Sequence, residues 1–351
     1  MAEVLAAHRQ SSYTVTLLDR DDREIQTLDG VTGGSVTNNV NARLRQSGSL
    51  TLTDRGQGVD WASQRVRIDW HVYTRLGDKH WGLGVFLFAA PKLSQHDGWR
   101  QWSVELLGKL TVLDEDAVEQ TYSVSAGTVV TDQVVALIQS AGEDRIACTP
   151  SDAVTTAMMT WDPGTPKLTI INDLLASINY WALWTDGVGQ YRVEPYVAPA
   201  SRPVTWLFEE GESSIHLPEW DLDQDTAGVP NKIILVGQGS EDEPALVGVA
   251  LNENPDSPYS FQARGRWITH TDSGVEAADQ ATLTALAQRK LIDLSTPNAT
   301  ISAQHMPIPL LGNERVAWRS QGEVADAIVQ QATLDLAAGA LMRSELLEVA
   351  A

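Results

Sequence analysis

The chain has 351 residues, room for two or three domains with substantial cores, and 43% of its residues are hydrophobic. Its 25 lysines and arginines face 46 aspartates and glutamates, a formal charge of −21 that argues against general nucleic-acid binding, which needs a phosphate-neutralising surface. The N-terminus lacks a basic segment followed by an apolar core, no run is long enough to span a bilayer, and the single cysteine, Cys148, rules out an intramolecular disulfide framework or a cysteine-based zinc site.

The first third reads as short strands. In segment 13–18 (YTVTLL), Tyr13, Val15 and Leu17 alternate onto one face. Further strands are expected at 24–28, 34–40, 49–53, 66–74, 79–90 and 99–107, with Gly, Asp or Asn between them. Strands punctuated so regularly point to a barrel or a sandwich. The apolar density of HWGLGVFLFAAPKL marks a strand buried by its neighbours.

Around Leu110 the texture changes. Val130, Val134, Leu137, Ile138 and Ala141 share one face of a helix that Gly142 stops. After the turn Asp162-Pro163-Gly164, a second helix begins near Pro166, in its first turn, with Leu168, Ile171, Leu174, Leu175 and Ile178 on one face. The pattern then shifts to strands at 181–185 and 190–197, joined by a hairpin at Asp186-Gly187. Pro195, Pro199 and Pro203 turn the exit into an extended connector. Residues from about 112 to 205 therefore form an α/β unit, in which Leu174, Leu175 and Ile178 should pack inward against the hairpin.

After Trp206 strands return, at 232–239 and 246–251 around a turn at 241–244, followed by a loop at 252–258. Asp272 or Ser273 is placed to cap a helix over 275–294, with Leu283, Leu286, Ala287 and Leu291 on one side and Pro297 ending it; a strand at 299–305 follows. Segment 323–350 is helical by propensity, yet Ile328, Ala332, Leu334 and Leu336 also fit alternation. Pattern alone leaves both readings open.

Motifs for chemistry are sparse. There is no Walker loop, and the glycine cluster Gly187-Val188-Gly189 belongs to the hairpin turn; no Gly-x-Ser-x-Gly elbow occurs. The seven histidines, His8, His71, His80, His96, His216, His270 and His305, lack the spacing of a helical zinc site. Asp221, Asp223 and Asp225 have the early spacing of a calcium loop, but Thr226 and Lys232 stand where glycine and glutamate are needed, so a solvated acidic turn is expected. The acid pairs Asp114-Glu115 and Glu209-Glu210 read as solvated element ends. Twelve tryptophans are spread through every segment, which suits apolar anchors better than a sugar platform. The expectation is no catalytic, cofactor-binding or metal-binding residue, and no cofactor.

The order of these elements, with WGLGVFLFAAPKL, WRQWSVELLGKLTVLDED, AGTVVTDQVVALIQSAG, LLASINYWALWTDGVGQYRVEPY, RPVTW, VPNKIILVG, NENPDSPYS and RGRW, resembles the baseplate-hub minor tail proteins of long-tailed bacteriophages over about 13–349. These are similar to contractile-tail baseplate hubs and secretion-system spike hubs. The resemblance implies a mainly β fold with an α/β insertion: two tube-like β-barrel domains, 1–113 and 206–351, flank a peripheral α/β domain, 114–205, and the second carries an insertion at about 241–296. It makes the C-terminal segment a β-hairpin closing the second barrel. It also implies a homotrimer, forming a pseudo-hexameric ring at the end of the tail tube. Implied partners are a distal tail protein ring, the tape measure protein and other tail-tip or fibre proteins, with genomic DNA passing through without specific binding. The implied location is the virion tail tip, after assembly in the host cytoplasm. No spike, fibre or peptidoglycan-hydrolase segment follows before Ala351, so host binding and wall cleavage are not expected of the chain. Two other classes stay open. A tail-associated cell-wall hydrolase requires converging carboxylates in a concave site, and a carbohydrate-binding host-recognition protein requires several exposed, coplanar tryptophans in one groove.

Overall fold

Seven strands open the chain: β1 (Arg9–Leu18), β2 (Glu24–Thr27), β3 (Val31–Asn39), β4 (Gln46–Thr53), β5 (Arg65–Thr74), β6 (Lys79–His96) and β7 (Trp99–Gly108). The structure, a computed structural model, describes residues 5, 7–212, 214–224, 227–237, 245–275, 280–294 and 299–349. Alternation sets the inward face: Val66, Ile68, Trp70 and Val72 of β5 are fully buried, as are Leu50 and Leu52 of β4. β6 runs past the boundary expected at residue 90 because its register shifts between Ala89 and Lys92, and the bulge, with Ala90 at φ 43°, accommodates Pro91.

The middle of the chain is α1 (Thr111–Glu115), β8 (Tyr122–Val124), α2 (Val130–Ser140), β9 (Ile146–Cys148), β10 (Met159–Trp161), α3 (Lys167–Ser177), β11 (Trp184–Thr185) and β12 (Tyr191–Val193). The helical faces read from the sequence are the buried ones. Val130, Val134, Leu137 and Ile138 of α2 and Leu168, Ile171, Leu174 and Leu175 of α3 share one core with Leu183, Tyr191 and Val193 of the hairpin, and Ile178 packs half-buried against it. Pro166 is the N-cap of α3, at φ −60° and ψ 140°, one position before the first turn. The hairpin ladder, Trp184↔Arg192 and Thr185↔Tyr191, is shorter than its apolar runs, and β12 pairs with β9 in parallel on its other edge.

The remainder is β13 (Val204–Glu209), β14 (His216–Gln224), β15 (Lys232–Gly237), β16 (Val247–Leu251), α4 (Phe261–Arg264), β17 (Thr269–Val275), α5 (Gln280–Leu294), β18 (Ala299–His305), β19 (Arg315–Ser320), β20 (Glu323–Asp335) and β21 (Met342–Glu348). Asp272 and Ser273, expected as helix caps, lie instead in β17, which pairs in parallel with β15. The C-terminal segment is a strand pair, β20 and β21, as the family resemblance implied, and Ala327, Val329, Leu334, Met342 and Leu346 are buried. The turn expected at 241–244 and the helix stop at Pro297 lie outside the described residues.

The protein is mainly β. One 13-stranded sheet runs β14-β18-β21-β20-β3-β4-β7-β6-β5-β1-β2, with β19 and then β13 branching from β20. It draws on both β-rich parts through β3, which pairs with β4 on one edge and with β20 on the other, from Ser35↔Asp335 to Asn39↔Gln331. Thr37 and Thr333 hydroxyls meet at 3.0 Å across this seam, and Asn39 Nδ2 donates to Gln331 Oε1 at 2.7 Å. Two separate closed barrels are therefore not what the strands form: among the described residues no sheet closes on itself, because β3 gives its second edge to β20. The chain divides into two compact units, Met1–Trp220 with Ser302–Leu346, and Asp221–Ile301 with Leu347–Ala351. In the second unit, β15 lies between β16 and β17, and Ile233, Leu235 and Ala250 form a core with Leu283 and Ala287 of α5. A Cβ on Gly248 would stand 2.5 Å from the Leu283 carbonyl oxygen, so glycine is what lets α5 lie close on β16.

Candidate functional site

The hairpin β11–β12 is where charge, aromatic rings and backbone converge in the first unit. Its turn is built locally: Asp186 Oδ1 accepts the Val188 and Gln190 N–H groups at 3.1 and 2.9 Å, and Gly189 takes φ 76°. The turn lies directly on β6. A Cβ on Gly187 would be 2.0 Å from the Gly82 carbonyl oxygen, and one on Gly82 2.1 Å from that of Gly187. The Gly187-Val188-Gly189 cluster is thus a backbone-to-backbone seat.

Beneath it lies a buried charge cluster. Lys109, fully buried, donates to Asp22 Oδ2 at 2.5 Å and to the Gly189 carbonyl at 3.0 Å, and lies 2.8 Å from Glu143 Oε2. Arg65 bridges the same two carboxylates, Nη1 to Asp22 Oδ1 at 2.9 Å and Nη2 to Glu143 Oε1 at 2.5 Å. Each acid meets both cations, so two positive and two negative charges close a ring. Burial alone would lower the Arg65 guanidinium, but hydrogen bonds and charge from Glu143 and Asp22 more than offset it and hold Arg65 above its ordinary value. Tyr191 caps the cluster, its hydroxyl donating to the Lys109 carbonyl at 3.0 Å and its ring centroid 4.9 Å from Lys109 Nζ; burial, then the Glu143 charge, raises the phenol. The four residues come from the β1–β2 turn, β5, the end of β7 and the loop after α2. With every charge already paired and enclosed, the cluster can clamp these elements together. The sequence held one signal for it: a lysine isolated between apolar runs in LLGKLTVL.

The outer side of the hairpin lines a cleft of about 520 Å³ with the connector to β13 and the loop before β19. Arg202 lies over Trp181, 4.6 Å from the ring centroid, and Arg192 over Trp184 at 5.8 Å. Two carboxylates face the cleft, and both are engaged. Glu194 pairs with Arg192, and Glu314 Oε2 accepts the Leu311 N–H at 3.0 Å, with burial raising its carboxyl.

The acidic residues singled out in the sequence do not converge. Asp221 and Asp223 are exposed on β14, and Asp225 lies outside the described residues. Asp114 pairs with Arg43, and Glu210 Oε1 accepts the Gln321 N–H at 2.7 Å. Among the described residues no three His, Cys, Asp or Glu side chains approach closely enough to hold a metal ion. His305 is fully buried; Nδ1–H donates to the Met306 carbonyl at 2.8 Å, leaving Nε2 to accept the Ser344 hydroxyl at 2.9 Å, and burial pushes the imidazole down to about 4. Trp70 and Trp318 are core anchors, Trp61 packs on Phe88 and Trp102, and the faces of Trp181 and Trp184 carry arginines. No helix among the described residues is long and apolar enough to cross a membrane.

The shared sheet with a helix–hairpin unit set into it defines a fold, that of phage tail proteins. The chain is similar to the tail protein from Neisseria meningitidis MC58, at 13% identity and a TM-score of 0.65, covering 96% of this chain and 97% of that one. It is also similar to the 43 kDa tail protein of prophage MuSo2 from Shewanella oneidensis, at 12% identity and a TM-score of 0.64, over 96% and 98% of the two chains. A component of the Escherichia coli type VI secretion system, described as structurally similar to the T4 bacteriophage tail proteins gp27 and gp5, matches at 12% identity and a TM-score of 0.51, over 95% and 77%. These are the structural kinds to which the sequence resemblance pointed. No protein-family model matches the sequence, and no curated protein does.

Proposed function

We propose that the chain is a structural baseplate-hub protein of a bacteriophage tail tip. Three copies form a pseudo-hexameric ring that ends the tail tube and lets the tape measure protein and DNA pass on infection. The observation that carries this reading is the sheet itself: the N-terminal and C-terminal β-rich parts enter one hydrogen-bonded surface through β3 and β20, in a fold shared along almost the full chain with tail proteins. Two tube-like domains, 1–113 and 206–351, would each supply one of six sectors around the ring. The α/β domain, 114–205, would stand outside it and offer a surface to a distal tail protein ring and to tail-tip or fibre proteins, while 241–296 is an insertion. The role needs no catalysis, cofactor or metal. The formal charge of −21 suits a conduit, since acidic groups facing the channel would repel DNA and limit sticking.

The test is mass and position. The purified protein should give a particle of three times the 38.2 kDa chain mass, and a virion reconstruction should place it at the tail tip, after assembly in the host cytoplasm. A stable monomer that is absent from the tail tip overturns the proposal. A predominantly basic lumen overturns its electrostatic part.

A further inference from the structure

The cleft beside the hairpin carries more positive charge than its own carboxylates neutralise. Four arginines, Arg45, Arg192, Arg202 and Arg315, line it against Glu194 and Glu314. Arg192 is paired with Glu194, and Arg315 with Asp326. Arg45 and Arg202 meet no carboxylate among the described residues, and burial lowers both guanidiniums, with Tyr196 offsetting part of this at Arg202. Within a chain of net charge −21, this is a local inversion.

Arg202 is held in one orientation with one edge unfilled. Its plane lies over Trp181, Nε donates to the Val197 carbonyl at 2.9 Å, and Nη1 donates to the Asn313 carbonyl. Nη2 is buried and has no partner among the described residues. A buried donor left unpaired costs free energy. Trp184, Pro195, Val197 and Leu311 provide apolar wall around it, and about 520 Å³ is room for one or two side chains of a docked chain.

We propose that this cleft docks an acidic peptide segment of a partner protein, one carboxylate side chain seating against Arg202 and Arg45 while its apolar neighbours lie on Trp184 and Pro195. A carboxylate matches a guanidinium edge in shape, and a charge-assisted hydrogen bond in a partly desolvated cleft is strong. A nucleic-acid strand fits less well, because a chain of net charge −21 opposes a polyanion that runs beyond the cleft. A short acidic segment presents its charge only where the arginines are.

The isolated full-length protein suffices for the test, independently of ring assembly. Calorimetric titration with a blocked peptide alternating leucine and aspartate should show one site per chain, weakening with added salt, and binding about tenfold or more tighter than the leucine–asparagine counterpart. R202Q and R45Q should each weaken binding by about tenfold or more. R202Q also gives up the contacts to Val197 and Asn313, so R45Q, with circular dichroism unchanged, is the deciding variant. Equal affinity for the two peptides, wild-type binding by R45Q, or displacement of the peptide by an equal concentration of inorganic phosphate or of a short oligonucleotide would each overturn the proposal.

Discussion

Replacing Lys109 with methionine tests whether the buried ring of charges holds the first unit together. Methionine keeps the length and apolar stem but removes the ammonium, whose hydrogens serve Asp22 at 2.5 Å, Glu143 at 2.8 Å and the Gly189 carbonyl at 3.0 Å. Arg65 then faces two carboxylates alone. The remaining cation near Asp22, Arg145, stands 3.9 Å away and is 39% exposed, so it replaces little of what is lost. Breaking a buried pair by removing one partner costs about 3–5 kcal/mol. That is a large share of the roughly 5–15 kcal/mol by which domains are stable. Urea denaturation at neutral pH, followed by tryptophan fluorescence, should show a lowered midpoint for K109M. Hydrogen exchange should show lost protection on both sides of the cluster, in β5 and in β12. The double variant K109M/E143Q should be less damaged than the two single losses combined, by more than about 1 kcal/mol, because each single change strands what the other would have stranded. A K109M loss below about 1 kcal/mol, or additivity with E143Q, would refute the clamp.

Two further outcomes follow from the same packing. His305 is neutral when folded, its imidazole pushed down from 6.5 to about 4 by burial, so between those values the unfolded chain takes up a proton that the folded one does not. Its contribution is whole above about pH 6.5 and declines as pH falls towards 4, by about 3 kcal/mol at most; H305Q should flatten that stretch of the stability–pH profile, and parallel profiles would disprove it. Gly187→Ala should cost about 1–3 kcal/mol, since its Cβ would stand 2.0 Å from the Gly82 carbonyl oxygen, and thermal unfolding that matches wild type would show the hairpin is not seated there.

Elements with regular apolar spacing were legible in the sequence, although β2, exposed throughout, was also expected and β13 and β19, which bury side chains, were not. The alternation of Val66, Ile68, Trp70 and Val72 and the helical spacing of Val130, Val134, Leu137 and Ile138 map directly onto buried faces. β14 read as an acidic turn because its residues beyond His216 are almost all exposed, so no apolar periodicity marks it. β17, THTDSGV, was misread because Asp and Ser are favoured caps, while the backbone pairing with β15 that makes it a strand leaves no local trace. The choice between helix and hairpin at the C-terminus was likewise settled by a distant partner, β3. Nor could the site be seen in outline: Asp22, Arg65, Lys109 and Glu143 are scattered through the first half of the chain, and the unfilled edge of Arg202 depends on carbonyls at Val197 and Asn313.

The seam between β3 and β20 also sets an order of events at birth. Asn39 pairs with Gln331, so an edge of a strand made early stays open until nearly the whole chain has been synthesised. At about 5–20 residues per second the wait is roughly 15–60 s, during which the N-terminal strands expose a row of unpaired N–H and C=O groups. Pairings so distant in sequence are slow to form, and open edges recruit whatever strand is near. In a crowded polysome the nearest such strands belong to sister chains. A chain that ends before β20 would leave that edge of β3 uncovered, so truncation there should favour aggregation.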